Sequence, residues 1–549
     1  MTDHSRTVAR AIVESLENEE VEVVFGLPGE ENLHMIDALA DSSIRFVTTR
    51  DERGAAFMAD TYGALTGKPG VCLATLGPGA INLMLGVANA QLDSHPLVAI
   101  TAQAGLERIY KESHQFVDLV SLFRPITKWG DMVTVRVAAP EMVRKAFKRA
   151  TTERPGATFI VLPEDVAERL TDAPVLRVNT PVDPAPDDGQ VHRAAHVLAG
   201  AKHPVVLAGP GVARDGATEA LVRFSEALNI PVATTFLGKG VFPDNHPNAL
   251  GTIGFMVKDY ANFGFDRADV VVAVGYDLVE YSPARWNPLL DKQIVHVHRS
   301  VAEVDANYTL AVGVVGSISE SLEALAASSS EHDIRGEIFP VRDLVREEIE
   351  RGAADDAFPM APARIVGDIR SVLDDDDIVL CDTGAVKMWM ARLYPTYRPN
   401  TCLISNGLAT MAFSLPGAIA AKLVHPDRRV LAAMGDGAFA MSMAEIETAV
   451  REGVALVVLV WVDGSYGLIG WKQDIHFGRQ TAVSFTNPDF VRLAESFGAK
   501  GYEIGAADEL APTLRKALDD EAVSIVACPV DYAENARLIE RLGALTDPI

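Results

Sequence analysis

Two stretches of the chain end an apolar run in an aspartate framed by small residues. In "RRVLAAMGDGAFAM", residues 428–441, Asp436 stands between two glycines, and 27 positions later "ALVVLVWVDGSYG", residues 455–467, brings Asp463 to the end of a second run. A carboxylate that leaves a strand where a helix begins can hold a hard cation, while the first amides of that helix, those of Gly437 and Ala438, are free to face an anion. A second carboxylate one crossover further on supplies another oxygen ligand. The combination suits a diphosphate bridged by Mg²⁺. An isolated Gly-Asp-Gly is equally a tight turn, because both residue types favour turns on conformational grounds.

The elements that must position such residues are legible in the same texture. Short Val, Ile and Leu runs bounded by glycine, such as "VEVVFGLPG" and "GVCLATLGPG", alternate with segments of helical period, the pattern of buried parallel strands with crossover helices. It returns in "HPVVLAGPGV" and "ADVVVAVGYD", and again in "DIVLCDTGA" and the two aspartate segments. Two stretches poor in that texture, 171–190 and 341–362, read as connectors. The expectation is α/β architecture in three consecutive parallel-sheet domains, residues 1–170, 190–335 and 360–549. In open α/β sheets ligands lie beyond the carboxyl ends of the strands, so function is sought at the glycine turns there.

Composition excludes several classes. The 549 residues carry 49 Lys+Arg against 75 Asp+Glu, a formal charge of −26 that repels nucleic acid and anionic membranes. Cys72, Cys381, Cys402 and Cys528 are far apart with no C-x-x-C pair, which argues against zinc or a disulfide framework and for a reducing, cytoplasmic setting. The charged start "MTDHSRTVARAIVESLENEE" is no secretory signal. The uncharged stretches 71–92 and 401–421 are broken by Gly, Pro and Asn and are not read as membrane spans.

The spacing of the two aspartates resembles the thiamine diphosphate motif, and other segments extend the likeness over nearly the whole chain. "FVTTRDERGAAFMADTYGALTGKPGV" is similar to the family's glutamate segment, which implies Glu52 as the carboxylate that drives the cofactor's aminopyrimidine to its imino form. "FGLPGE" and "TLGPGAINL" resemble its Pro-Gly and Thr-x-Gly-Pro-Gly loops and carry over Pro28, Thr75 and Asn82; Gly384 comes from "DTGAVKMW". In "SNGLATMAFSLPGAIAA" the likeness to the Gly-Thr-Met-Gly segment makes Met411 the wedge that bends the cofactor and the Ala409 carbonyl the acceptor of its amine. Asp436, Asp463 and the Ser465 carbonyl are the implied Mg²⁺ ligands. An unaided reading of Glu52 is an acid favoured by a helix N-terminus, and of Met411 a filler of a core gap.

Within the superfamily the chain is most similar to the acetolactate synthase large subunit, through "KESHQFVDLVSLFRPITKW", "FLGKGVFPDNHP" and "LAESFGAKGYEI". "AVGYDLVEYSPARWNP", residues 273–288, resembles the FAD-independent, catabolic branch, so FAD is not expected. The resemblance implies decarboxylation of pyruvate and addition of the resulting enamine to a second 2-oxo acid, giving 2-acetolactate and CO₂. A simple 2-oxo acid decarboxylase, another thiamine diphosphate carboligase and a non-catalytic homologue are the alternatives. Gln115 is the implied substrate-orienting residue. The expected assembly is a homodimer or homotetramer without need of a regulatory subunit, and both branched-chain amino acid synthesis and acetoin formation fit as pathways.

Departures from the family pattern mark what is particular here. His114 replaces a Phe, Val386 replaces a His that touches the diphosphate, Glu30 and Glu31 replace an Ala-Lys pair, Asp51 and Arg53 flank Glu52 in place of His and Gln, and Asp463 replaces an Asn. Lys472 stands nine residues beyond Asp463, where the biosynthetic type has Trp and the catabolic type Gln. Two readings of it stand: its amine pairs with the carboxylate of the acceptor, or it snorkels into solvent.

Overall fold

The computed structural model of the protein describes residues 6–179, 184–254, 260–332 and 339–535. The expected domain limits and the 171–190 connector therefore extend in part outside the described residues. Three six-stranded sheets, parallel throughout, account for the three repeats of buried aliphatic runs. Their central strands, such as Gly70–Ala74, Val270–Val274 and Val430–Gly435, are buried on both faces, which is why they read as continuous rather than alternating apolar runs.

In the first sheet the spatial order is Arg45–Thr48, Val23–Gly26, Gly70–Ala74, Leu97–Gln103, Ala157–Pro163, Trp129–Met132. The third repeats it with Cys402–Ile404, Ile378–Cys381, Val430–Gly435, Leu456–Val462, Val523–Pro529 and Lys500–Glu503. The middle sheet differs. It runs Ala249–Thr252, Val232–Thr234, Pro204–Ala208, Val270–Val274, Gln293–His298, Leu310–Val315, the doubly wound order in which the first strand is third in space. In the two outer domains the direction of winding reverses between the strand pairs Val23–Gly26/Gly70–Ala74 and Ile378–Cys381/Val430–Gly435. Such a reversal opens a crevice at the strand ends, and the turns bearing Pro28, Thr75, Gly384 and Asp436 are those that border the two crevices.

The outer domains share one apolar core. Helices Glu52–Thr66 and Ser414–Val424 pack face to face, with the Phe57 and Phe413 rings edge-on at 6.1 Å, and Gly417 gives the backbone room beside Leu380 and Thr61. Two local readings change. The helix after Asp436 is two short helices, Asp436–Ser442 and Glu445–Arg451, because Ile446 and Glu447 donate to the carbonyls three residues back and tighten the turn between them. Both pieces bury an apolar residue against the sheet domain's core, with Phe439 and Ile446 fully buried. The 341–362 connector is no free linker: helix Phe339–Ala353 packs on helix Pro362–Val372, and Glu348 bonds Arg392 through both carboxylate oxygens at 2.6 and 2.7 Å.

Candidate active site

Asp436 and Asp463 leave neighbouring strands, with Gly435 paired to Trp461 in the parallel register. The two acids therefore emerge side by side. Asp436 is 1% exposed, and its Oδ2 accepts the N–H of Asp463 at 3.2 Å and of Gly464 at 2.8 Å and the side-chain amide of Asn487 at 2.7 Å. Its Oδ1 takes the Gly437 N–H at 2.8 Å, so of the two amides expected to face an anion, this one is turned to the aspartate itself. Asp463 is half-buried; burial first, and then the Asp436 carboxylate, push its carboxyl up to about 7. A carboxyl held up by the buried carboxylate beside it is a donor whose charge a divalent cation would relieve.

Beside them opens a cavity of about 120 Å³. Gly384, Met411, Asp436, Ala438, Asp463 and Ser465 line it, together with Gly437 and Tyr532. Gly384 has φ +141 and nothing within 4 Å of where a Cβ would stand, so its backbone faces open space. The donor set and the bare glycine backbone fit a Mg²⁺-diphosphate. Val386 lines the cavity where the family's His would project.

Met411 enters the cavity from a loop whose backbone is strained. Ala409 has φ +54 and Ala412 φ +77, left-handed values that cost a side-chain-bearing residue about 1–2 kcal/mol each. Asp382, fully buried, holds the end of this loop: its Oδ1 accepts the N–H groups of Thr383 and Ala412 at 2.9 and 3.0 Å, and its Oδ2 that of Ser414 at 2.9 Å. Burial outweighs these bonds and raises its carboxyl to about 6.

A second group of residues gathers at the strand ends of the first domain. Glu52 is the first residue of helix Glu52–Thr66, behind the N-cap Asp51, and its Oε2 accepts the Asn82 amide at 2.9 Å. Gly79 packs against Glu52 and Thr75. The Thr75 hydroxyl donates to Glu31 at 2.8 Å, so one of the two unexpected acids is engaged by a residue carried over as a cofactor contact. Gln115 is exposed, at φ +57, with its carbonyl against Gly77; Pro28 is exposed on its turn. Arg53 lies back on Asp51, its Nη2 2.7 Å from Oδ2, which turns both of the altered neighbours of Glu52 towards each other. His114 is exposed, and its carbonyl accepts from Arg108 at 3.2 Å.

Within one chain the two groups do not share the cavity. Neither Glu52 nor Gln115 lines the cavity at Asp436, and Lys472, half-buried on helix Gly467–Phe477, does not either. Ala409 lies on the loop beside Met411 without lining it. The residues that sequence reasoning missed are Asn487, Asp382 and Glu445. Glu445 spans the domain boundary, with Oε1 accepting the Arg50 and Asp51 N–H groups at 3.1 and 3.0 Å and Oε2 the Thr448 hydroxyl at 2.6 Å. Asp382 at the end of "IVLC" carried a usable signal, an acid at a strand end before a glycine turn. Asn487 carried none, since it reaches Asp436 from a loop 51 positions on.

Comparison with known proteins agrees with this organisation. Residues 6–122 match the family described as "Thiamine pyrophosphate enzyme, N-terminal TPP binding domain", 191–325 its central domain and 382–528 its C-terminal TPP binding domain. The chain is 36% identical over 542 residues to "Acetolactate synthase" of Bacillus subtilis, covering 96% of this chain and 94% of that one. It is also 36% identical over 546 residues to "Acetolactate synthase, catabolic" of Raoultella terrigena, 97% of each chain, and 35% identical over 560 residues to "Probable acetolactate synthase large subunit" of Methanocaldococcus jannaschii, 98% and 94%. A three-sheet chain with paired aspartates at the strand ends of one outer domain and a glutamate at those of the other, alike over its whole length to these proteins, belongs to the thiamine diphosphate-dependent acetolactate synthase family and is an enzyme of that type.

Proposed function

We propose that the protein makes 2-acetolactate and CO₂ from two molecules of pyruvate, in the manner of the FAD-independent branch. The observation that carries the reading is the cavity lined by Gly384, Met411 and the Asp436–Asp463 pair, which sets two carboxylates and bare glycine backbone suited to a metal-bound diphosphate beside one long apolar side chain. When bound, the cofactor supplies a carbanion that adds to the keto group of pyruvate and accepts the electrons released with CO₂.

The protein's own residues do the rest. Asp436, Asp463 and the Ser465 carbonyl hold Mg²⁺, and Met411 with the Ala409 carbonyl sets the shape of the bound cofactor. Glu52, oriented by Asn82, holds and moves a proton on the aminopyrimidine. Gln115 and Lys472 orient the 2-oxo acids, and the cleft keeps water from protonating the product of decarboxylation before the second pyruvate arrives.

The separation of Glu52 from the cavity in one chain supports a homodimer, alone or paired into a tetramer, in which each cavity is completed by the first domain of a second copy. Exposed apolar side chains beside both groups fit that reading: Leu33 and Ile81 on the first domain, Met441 and Ile469 on the third. The domain limits 1–170, 190–335 and 360–549 are part of the proposal. So is a cytoplasmic setting; among the described residues no helix is long and apolar enough to cross a membrane, and the four cysteines are buried thiols. The assay that tests the reaction consumes pyruvate with separate quantitation of acetolactate, CO₂ and acetaldehyde. Acetolactate in half the molar amount of pyruvate is expected; acetaldehyde as the main product assigns a decarboxylase instead.

A further inference from the structure

The loop from Ser405 to Ala412 is held from outside its own domain. Asn89, on helix Pro78–Asp93 of the first domain, is fully buried, and its amide nitrogen donates to Asp60 Oδ2 at 2.7 Å, which fixes which way the side chain points. Its Oδ1 accepts the Ser405 hydroxyl at 2.6 Å, and the oxygen of that hydroxyl accepts the backbone N–H of Thr410 at 3.1 Å. Asp93, one turn further along the same helix, accepts the N–H of Asn406 and of Gly407. The Ser405 carbonyl takes the Lys387 amine at 3.0 Å. Ser405 is itself fully buried, so no water substitutes for these partners at its side chain.

The chain of bonds ends on the residue between Ala409 and Met411, flanked by the two alanines at positive φ. A loop of L-residues freed from such constraints leaves the left-handed region, and with it the position of everything the loop carries. We infer that Asn89, Asp93 and Ser405 are positioning residues for the reaction, a buried clamp between the first domain and the loop that holds Met411 and the Ala409 carbonyl in their working geometry against the preference of Ala409 and Ala412. The inference rests on the reading of Met411 as the residue that bends the cofactor. It assigns the clamp a role in the chemistry beyond joining two domains.

The measurement is hydrogen–deuterium exchange at C2 of bound thiamine diphosphate in the holoenzyme, by acid quench and proton NMR, normalised to cofactor bound and read beside the melting temperature. Ser405→Ala is expected to slow exchange about tenfold, Ser405→Thr to retain it, and Ser405→Ala with Ala412→Gly to recover most of it, because glycine occupies positive φ without being held there. Asn89→Ala, which removes the acceptor of the Ser405 hydroxyl together with the donor to Asp60, is read in the same way should Ser405→Ala fail to fold. A lowered melting temperature with an unchanged exchange rate per bound cofactor, or no recovery with Ala412→Gly, overturns the inference. Met411→Ala separates the two levels: if it slows exchange and Ser405→Ala does not, only the clamp is wrong, whereas unchanged exchange in Met411→Ala removes the wedge reading itself.

Discussion

The carboxylate of Asp436 accepts the backbone N–H of Asp463 at 3.2 Å, so the first acid of the pair shapes the turn that presents the second. The two are not equivalent. Among the described residues Asp436 serves four donors, from Gly437, Asp463, Gly464 and Asn487, while Asp463 Oδ1 takes the Ser465 N–H, at 3.3 Å.

That asymmetry sets the expected effect of Asp463→Asn, which keeps an oxygen ligand and removes a charge. In the metal-free protein the carboxyl of Asp463 titrates near 7 instead of 3.8, so ionising it works against the fold, and stability falls as pH rises through that window. Above about pH 7 the metal-free variant should melt higher than the parent, by on the order of 1 kcal/mol after allowance for solvent screening. Its Mg²⁺ affinity should fall about tenfold. A magnesium titration and a thermal melt check both; equal Mg²⁺ affinity and an unchanged melt take Asp463 out of the metal site.

Glu52→Gln should retain the cofactor and lose the proton transfer. The amide oxygen of the variant still accepts from Asn82, so the helix start is undisturbed. A positioned acid–base group is worth about 10²–10⁴-fold. Exchange at C2 should slow within that range at unchanged thiamine diphosphate affinity; parent-like exchange removes Glu52 from the mechanism.

The outer domains were the legible part of the chain, because paired strand ends and glycine turns leave local marks: Asp436, Asp463 and Gly384 sit on short motifs and meet at one cavity. Their bonding partners were not legible. Asn487 comes from a distant loop, Glu445 acts across a domain boundary, and the Asn89–Ser405 bond joins residues 316 positions apart. The 341–362 stretch misled because its charges look solvated, whereas Glu348 spends its charge on a nearly buried Arg392. Periodicity reports which face is apolar and says nothing of which polar groups find each other.

The purified protein should carry no flavin and gain no activity from added FAD. At the strand ends of the middle sheet Tyr276, Asp277, Tyr281 and Trp286 turn inward and are each under 8% exposed. Arg214, a cation suited to a diphosphate, is held by Asp277 and by Glu153 at 3.0 Å each. An absorbance spectrum decides the matter, and a stoichiometric yellow chromophore would falsify the reading of residues 273–288.

His95 should give the junction of the outer domains a pH dependence. Its Nδ1 lies 2.7 Å from Asp60 Oδ1, and Asp60 is fully buried. Burial opposes the charged ring, but the Asp60 carboxylate, by charge and by hydrogen bond, and then Asp93 prevail and raise its pKa above 6.5. The folded state thus holds a proton the unfolded chain has released, a stabilisation fully present below 6.5 and lost as pH rises through the raised value. His95→Gln should flatten that decline in a series of denaturant melts across neutral and mildly alkaline pH. A decline as steep in the variant as in the parent assigns the effect elsewhere.

Lys472 bears on which 2-oxo acid is accepted. It lies on helix Gly467–Phe477, whose start carries Leu468 and Ile469 into the lining of the cavity, and it is half-buried one turn further along. On the proposed reading its amine pairs with the carboxylate common to all 2-oxo acids and adds no apolar surface for a longer side chain. A charge-assisted bond is worth roughly 1.5–3 kcal/mol, about one to two powers of ten. The enzyme should therefore use pyruvate as acceptor with little preference for 2-oxobutyrate. Lys472→Gln should raise the KM for the second pyruvate by about tenfold or more and leave decarboxylation of the first largely intact. With addition slowed and decarboxylation not, the two-carbon unit has longer to be protonated, and acetaldehyde should rise relative to acetolactate. Lys472→Arg, which keeps the charge, should restore much of the ratio. Unchanged acceptor kinetics and an unchanged product ratio in Lys472→Gln place the amine in solvent.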